Sequence, residues 1–220
     1  RGFGPARYSI EVKMAAGDTK LSICSDALIM LGSAPLSSFS EGTDAAQICD
    51  RLFDDIQDTV LILYPWGFSL KKSQLARSVD TPANEWDFQY PLPSDCLGSG
   101  VRALFTSSGS GASPAKYGWE IFGSNIFTNH STVFVDYQFR PNVDVMPTYF
   151  VQLLKYWMAW HIAEPVTDQI SKAQYYQSIA VGNLSENFRG GMTRQAMHTD
   201  GSSEPAKGFT DFPLVTVRAN

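Results

Sequence analysis

The chain has few of the residues that usually carry chemistry. In 220 residues it has 3 cysteines and 3 histidines. Cys24, Cys49 and Cys96 stand far apart, with no CxxC pair and no histidine at metal spacing. That excludes the common zinc sites and a disulfide framework. An odd, scattered set reads as small buried apolar residues of a reducing compartment. His130, His161 and His198 form no HExxH, and His161, inside an apolar stretch, reads as a core or interface histidine. The sequence has no P-loop, no dinucleotide GxGxxG and no GxSxG elbow. The serine- and glycine-rich stretch TSSGSGASPA (106–115) leads toward a strand, so it reads as a loop tip rather than a phosphate cradle.

Positive charge is also scarce. The formal net charge is −5, with Lys and Arg together at 17. A protein that grips nucleic acid by its phosphates needs a basic stripe, and none is present. No apolar run approaches the roughly 20 residues of a membrane span. The opening RGFGPARYSIEVK lacks the apolar core of a secretory signal. Met14-Ala-Ala has the look of a translation start, so residues 1–13 read as an addition upstream of it.

What the chain has is apolar mass: 44% hydrophobic and 13% aromatic residues, ample for one large domain or one domain with an insertion. A first helix fits 19–31, with Asp18 as cap, Gly32 as its left-handed end and Leu21, Cys24, Leu28 and Leu31 on one face. A second fits 43–63, capped by Thr43, with the stripe Ile48, Leu52, Ile56, Val60 and Leu63. Pro65 ends it near Tyr64. From 80 to 140 prolines, glycines and serines break the helical period, and short β-branched and aromatic runs read as strands. Helices return at Met146-Pro147. The first of these is apolar nearly all round, which predicts burial by neighbouring copies. Pro165 divides it from a helix over 167–188 with the stripe Ile170, Ala173, Ala180, Leu184 and Phe188. Residues 191–220 read as a polar extended tail ending in the strand-like TDFPLVTVR, and a lone strand must pair with its own sheet or a partner's.

The expected class is α+β: an antiparallel helix bundle with an inserted small antiparallel β region and extended terminal arms. The expected division is an arm over 1–17, a helical domain from 18–79 and 141–190, a β-rich insertion over 80–140 and a tail over 191–220. Asp50, Asp54 and Asp58 lie at i, i+4 and i+8 on one helical face. Such like charges cost a few tenths of a kcal/mol per pair, so the row reads as a solvated face or as a wall that repels phosphate. Trp66, Phe68, Trp86, Phe88 and Tyr90 lack interleaved basic residues and read as a hydrophobic joint between helices and β region. Lys71, Lys72 and Arg77 make a local positive cluster, suited to a phosphate or an acidic neighbour.

Three stretches carry a resemblance. The first runs from LSICSDALIMLG to YPWGFSLKKSQLA, with Leu31-Gly32, the corner Tyr64-Pro65-Trp66, Lys71, Lys72, Leu75 and Ala76. The second is WDFQYPLPSDCLGSGVRALF, with Tyr90, Leu92-Pro93, Asp95-Cys96-Leu97 and Val101. The third is YQFRPNVDVMPTYFVQLLKYWMAWHIAEPVT, with Tyr137, Arg140, Asp144, Pro147, Phe150, Leu153, Ala159, Ala163 and Thr167. In this order and spacing, over roughly 20–190, the chain resembles tailed-phage head-to-tail adaptors of the tail tubular protein A type. It departs from that pattern at Gly98-Ser99-Gly100 and in the tail after Gly191.

The resemblance implies a structural, non-enzymatic virion protein without a cofactor. Copies form a ring, typically dodecameric, between the portal protein and a tail nozzle protein of the tail tubular protein B type. The ring continues the DNA channel without binding DNA specifically, and in short-tailed phages it helps to attach tail fibres. Trp66, Phe68, Lys71, Lys72, Trp157, Trp160, Phe212, Leu214, Val215 and Val217 become candidates for contacts between subunits or with partners. Asp50, Asp54 and Asp58 become candidates for the channel lining. A carbohydrate-binding tail module built on the β-region aromatics and a virion hydrolase using carboxylates are the competing expectations.

Overall fold

A computed structural model describes residues 18–109, 112 and 114–203. The expected N-terminal arm and the candidates Phe212, Leu214, Val215 and Val217 lie outside the described residues. The elements in order are α1 (Lys20–Met30), α2 (Asp44–Ile62), β1 (Leu70–Gln74), β2 (Phe88–Pro91), β3 (Cys96–Phe105), β4 (Trp119–Phe122), β5 (Asn125–Thr128), β6 (Phe134–Phe139), α3 (Thr148–Thr167), α4 (Ile170–Val181) and α5 (Gly191–Ser203). Single 3-10 turns sit at Gly67–Ser69, Val143–Val145 and Leu184–Glu186. The chain is thus mixed helix and antiparallel sheet, an α+β protein.

Local chemistry sets the helix ends. Thr19 rather than Asp18 caps α1: the Ser22 N–H donates to Thr19 Oγ1 at 3.1 Å, and the Thr19 N–H donates to Ser22 Oγ at 2.9 Å. Thr43 caps α2 through the Ala46 N–H. Gly32, at φ 78°, closes α1 in the conformation only glycine adopts cheaply. Helix α3 does not break at Pro165 but runs to Thr167. Proline sits so near the end that one further turn needs only the Ala163 and Glu164 carbonyls. These receive the Thr167 hydroxyl at 2.6 Å and the Asp168 N–H at 2.9 Å.

Helix α3 is the axis of the helical half. Much of its surface is covered by α1, α2, α4 and α5 of the same chain. The α2 stripe is rotated from expectation. Cys49, Phe53, Gln57 and Leu61 are buried beside Ile56 and Val60, whereas Leu63 is exposed. Helix α4 ends early, at Val181, because Gly182 takes φ 85°. Leu184 and Phe188 therefore leave the expected stripe and are exposed, and Ile170, at the start of α4, is exposed as well.

Among the described residues the strands form two antiparallel sheets, in the orders β1-β6-β3 and β2-β5-β4. Between them lies a second core of Leu75, Tyr90, Leu104, Ile126, Val133, Val135 and Tyr137. The β region begins at Leu70, ten residues before the expected boundary, because Leu70–Gln74 pair residue for residue with Gln138–Phe134. The Gly98-Ser99-Gly100 departure is a register shift in β3. Gly98 takes φ 55°, and a Cβ on Gly100 would lie 2.7 Å from the Leu97 carbonyl and 3.2 Å from the Gln138 side chain. Residues 191–203 are helical, not an extended tail. Helix α5 is held by Trp157 Nε1–H donating to Thr193 Oγ1 at 3.1 Å and by Thr193 donating to the Ala180 carbonyl at 2.7 Å.

Trp66 is the largest fully buried side chain. Replacing it with alanine is expected to lower the unfolding free energy by about 3–5 kcal/mol, the range for truncating a core Trp or Phe. Urea denaturation measures this, and a loss below about 1 kcal/mol would show that Trp66 does not hold the core.

Candidate functional site

The chemistry-bearing residues of the three resembling stretches meet where the helices join the β1-β6-β3 sheet. Pro65 stops α2, which leaves its last carbonyls, among them those of buried Val60 and Leu61, without helical donors. Two side chains supply them. Trp66 Nε1–H donates to the Val60 carbonyl at 3.0 Å. Gln138 Nε2, from β6, donates to the Leu61 carbonyl at 2.6 Å, the Tyr64 carbonyl at 3.0 Å and Ser69 Oγ at 3.0 Å. Gln138 and Ser69 are both buried. Around this knot Trp66 packs edge-on against Phe150 at 5.1 Å between ring centroids, and Phe68 does so at 4.9 Å. Trp66 and Phe68 pack into the helical core against Tyr149 and Phe150, and the side chain that reaches this knot from the sheet is Gln138. Phe88 and Tyr90 lie elsewhere: they belong to the core between the sheets.

Trp66 and Trp157 are buried within the chain and present no surface to a partner. Each fills its own core because its indole N–H finds an acceptor there, the condition for burying tryptophan. Phe68 and Trp160 are half-buried, and Trp160 stacks on the His161 ring at 4.3 Å.

Charged groups frame the joint. Lys71 Nζ lies 3.0 Å from Asp95 Oδ2, and the Tyr137 hydroxyl donates to Asp95 Oδ1 at 2.9 Å. Arg140 on the chain after β6 pairs with Asp58 on α2. Lys72 lies 3.4 Å from Asp136 and 3.7 Å above the Phe105 ring. Both lysines therefore already have acidic neighbours within the chain. Partial burial would raise the Asp95 carboxyl, but hydrogen bonds from Lys71 and Tyr137 outweigh it and hold the group below the usual carboxylate value. The hydrogen bond to Asp95 raises Lys71, and burial followed by the Asp95 bond raises Tyr137.

A residue that sequence reading passed over completes the joint. Asp200 on α5 is buried, accepts the Gly67 N–H at 2.9 Å and accepts the Tyr149 hydroxyl. Burial, and then this bond, raise the Tyr149 phenol well above its ordinary value. Nothing in the polar run around Asp200 signals the contact, which exists only once α5 folds against α3.

The three α2 aspartates are not equivalent. Lys20 bridges Asp50 at 2.8 Å and Asp54 at 3.5 Å, yet both carboxylate side chains remain more than half exposed, at 57% and 54%. Asp58, at 26%, turns into the joint with Arg140. Exposed apolar residues are spread over the molecule, and Ile62 and Leu63 are neighbours in sequence at the end of α2. Among the described residues no group of three His, Cys, Asp or Glu side chains is placed to hold a metal ion. No described helix is long and apolar enough to cross a membrane. Neither a protein-family model nor a curated protein matches the chain.

The Asp95–Lys71–Tyr137 cluster makes stability depend on pH in two directions. A lowered carboxyl contributes stability that is complete above its unfolded value and is lost as pH falls through the folded one. A raised lysine or phenol contributes stability that is complete below its unfolded value and is lost as pH rises through the folded one. Denaturation midpoints at about pH 3, 7 and 11 are expected to be highest at the middle value. In Lys71→Met with Tyr137→Phe, both the acid and the alkaline decline are expected to flatten. Unchanged declines in this double variant would place the titrating groups elsewhere.

Proposed function

We propose that the chain is a structural subunit of a tailed-phage virion, a head-to-tail adaptor of the tail tubular protein A type. On this reading α1–α4 are an antiparallel helix bundle, and β1–β6 are the insertion it carries. Copies assemble into a ring, typically of twelve, that joins the portal protein to the tail nozzle protein and continues the DNA channel. The role is structural rather than enzymatic and calls for no cofactor.

One observation carries the reading. Part of each of the three stretches, namely Trp66, Lys71, Asp95, Tyr137, Arg140 and Phe150, lies where the helices meet the β1-β6-β3 sheet, whereas Leu75 and Tyr90 lie in the core between the sheets and Ala159 and Ala163 along α3. Those at the joint fix the angle between helices and sheet, the property a ring subunit must hold constant for the ring to close.

On this reading exposed side chains make the subunit contacts. The exposed pair Ile62 and Leu63 replaces the buried tryptophans as the apolar contact, beside half-buried Phe68 and Trp160. Asp50 and Asp54, with exposed Asp55, give the channel an acidic lining that repels phosphate. Asp58 belongs to the joint.

The test is electron microscopy of the purified chain mixed with its portal protein. The expected image is a portal extended by a second ring of matching rotational symmetry. Ile62→Asp with Leu63→Asp is expected to abolish that ring while leaving the thermal midpoint of the isolated chain almost unchanged. A portal that stays bare at any protein concentration would overturn the adaptor assignment.

A further inference from the structure

Two of the three cysteines meet in the helical core. Cys24 on α1 and Cys49 on α2 are free thiols buried completely, whereas Cys96 on β3 is partly exposed. The packing of α1 on α2 brings the pair together, and Lys20 in the first turn of α1 sets that packing. Its Nζ lies 2.8 Å from Asp50 Oδ1 and 3.5 Å from Asp54 Oδ2, and it donates to the Asp50 carbonyl at 3.1 Å. The same ammonium sits 5.5 Å from the centre of the Phe53 ring. Cys24 stands four residues after Lys20, so it lies one turn on along the same face of α1. Cys49 directly precedes Asp50 on α2. The Cys24 thiol meets the Cys49 sulfur there and donates a hydrogen bond to it.

A buried thiol is ordinarily inert, because burial disfavours the thiolate. A second sulfur in contact changes that for one member of the pair. The hydrogen bond from Cys24 lowers the Cys49 thiol in spite of its burial, while that bond and then burial raise Cys24. Ionisation therefore falls on Cys49, and the remaining proton stays on Cys24. The helix geometry also suits an S–S bond. A disulfide needs Cα atoms about 4.4–6.8 Å apart. Helices packed about 8–10 Å apart, with Cα atoms about 2.3 Å from each axis, bring facing Cα atoms to roughly 3.5–5.5 Å. The two ranges overlap, so a bond between facing cysteines asks little of the helices.

We propose that Cys24 and Cys49 form a peroxide-sensitive dithiol that closes to a disulfide between α1 and α2. The Cys49 thiolate attacks one oxygen of hydrogen peroxide, the O–O bond breaks, and Cys49 becomes a sulfenic acid. The departing hydroxide takes up the proton released when Cys49 ionised and leaves as water. The Cys24 sulfur then attacks the Cys49 sulfur, the S–O bond breaks, and the hydroxide leaves with the Cys24 proton as a second water. Two thiols thus give up two electrons and two protons, and one peroxide is reduced to two waters. Hydrogen peroxide is small, and local opening of the helix pair admits it. The bond closes the loop between α1 and α2 and thereby constrains the unfolded chain. The proposal is independent of the adaptor reading.

The test is oxidation of the folded full chain with a few molar equivalents of hydrogen peroxide, then alkylation in denaturant without reductant and peptide mass mapping. The number of alkylatable thiols is expected to fall from three to one. The peptides carrying Cys24 and Cys49 are expected to be joined and lighter by two hydrogens, and dithiothreitol is expected to restore both thiols. The same treatment in urea is expected to give links that include Cys96, because only the fold selects the pair. In Cys24→Ser, dimedone is expected to label Cys49 as a sulfenic acid, and in Cys49→Ser it is expected to leave Cys24 unlabelled. If either variant does not fold, the mapping of the unaltered chain decides. Cys24 and Cys49 both alkylated after oxidation, each carrying its own sulfinic or sulfonic acid, or linked only through Cys96, would contradict the proposal. Dimedone on Cys24 in Cys49→Ser but not on Cys49 in Cys24→Ser would contradict the order of attack.

Discussion

The structure depends on how one helix ends. α2 stops at Pro65 with no glycine to close it, and its buried residues Val60 and Leu61 need donors for their carbonyls. A buried carbonyl left without a donor costs about 1–3 kcal/mol. The Val60 and Leu61 carbonyls avoid that cost because Trp66 and Gln138 reach them. One donor comes from just beyond the helix and the other from β6, on the far side of the β region in sequence. The end of α2 can therefore be satisfied only when the sheet is in place. The sheet in turn is oriented by the side chain that satisfies it.

Other features depend on that reciprocity. Once Trp66 is fixed, Phe68 and Phe150 pack around it, and the turn at Gly67–Ser69 presents its N–H to Asp200. Helix α5 is then held at both ends, by Thr193 against Trp157 and by Asp200 against Gly67. The outer ion pairs Lys71–Asp95 and Arg140–Asp58 are half-exposed and add modest energy, as surface pairs do. Their use is geometric: they brace the sheet against rotation about the knot. Two separate apolar cores, one helical and one between the sheets, are thereby bridged at the end of α2. A subunit that must repeat an angle around a ring needs such rigidity, and this links the local chemistry to the proposed role.

The sequence made some of this legible and hid the rest for physical reasons. Thr43, Gly32 and Pro65 were readable because caps and breakers act through nearest neighbours. The strands rich in Val, Ile and Phe were readable for the same reason. β1 was hidden: Leu-Lys-Lys-Ser-Gln has no β-branched residue, and only its pairing with β6 makes it a strand. α5 was hidden as well, because two glycines and a serine-rich end give poor helix propensity that docking overrides. Burial of α3 by its own chain was also out of reach. An apolar helix looks the same in sequence whether its neighbours belong to one chain or to several. The joint was half visible: the aromatic corner announced itself, but Gln138 and Asp200 are polar residues whose partners are remote in sequence.

Calorimetric unfolding of the unaltered chain tests the central claim most directly. If the end of α2 welds helices and sheets into one body, heat absorption forms a single transition whose calorimetric and van't Hoff enthalpies agree. Two resolved transitions, one for each core, would contradict it.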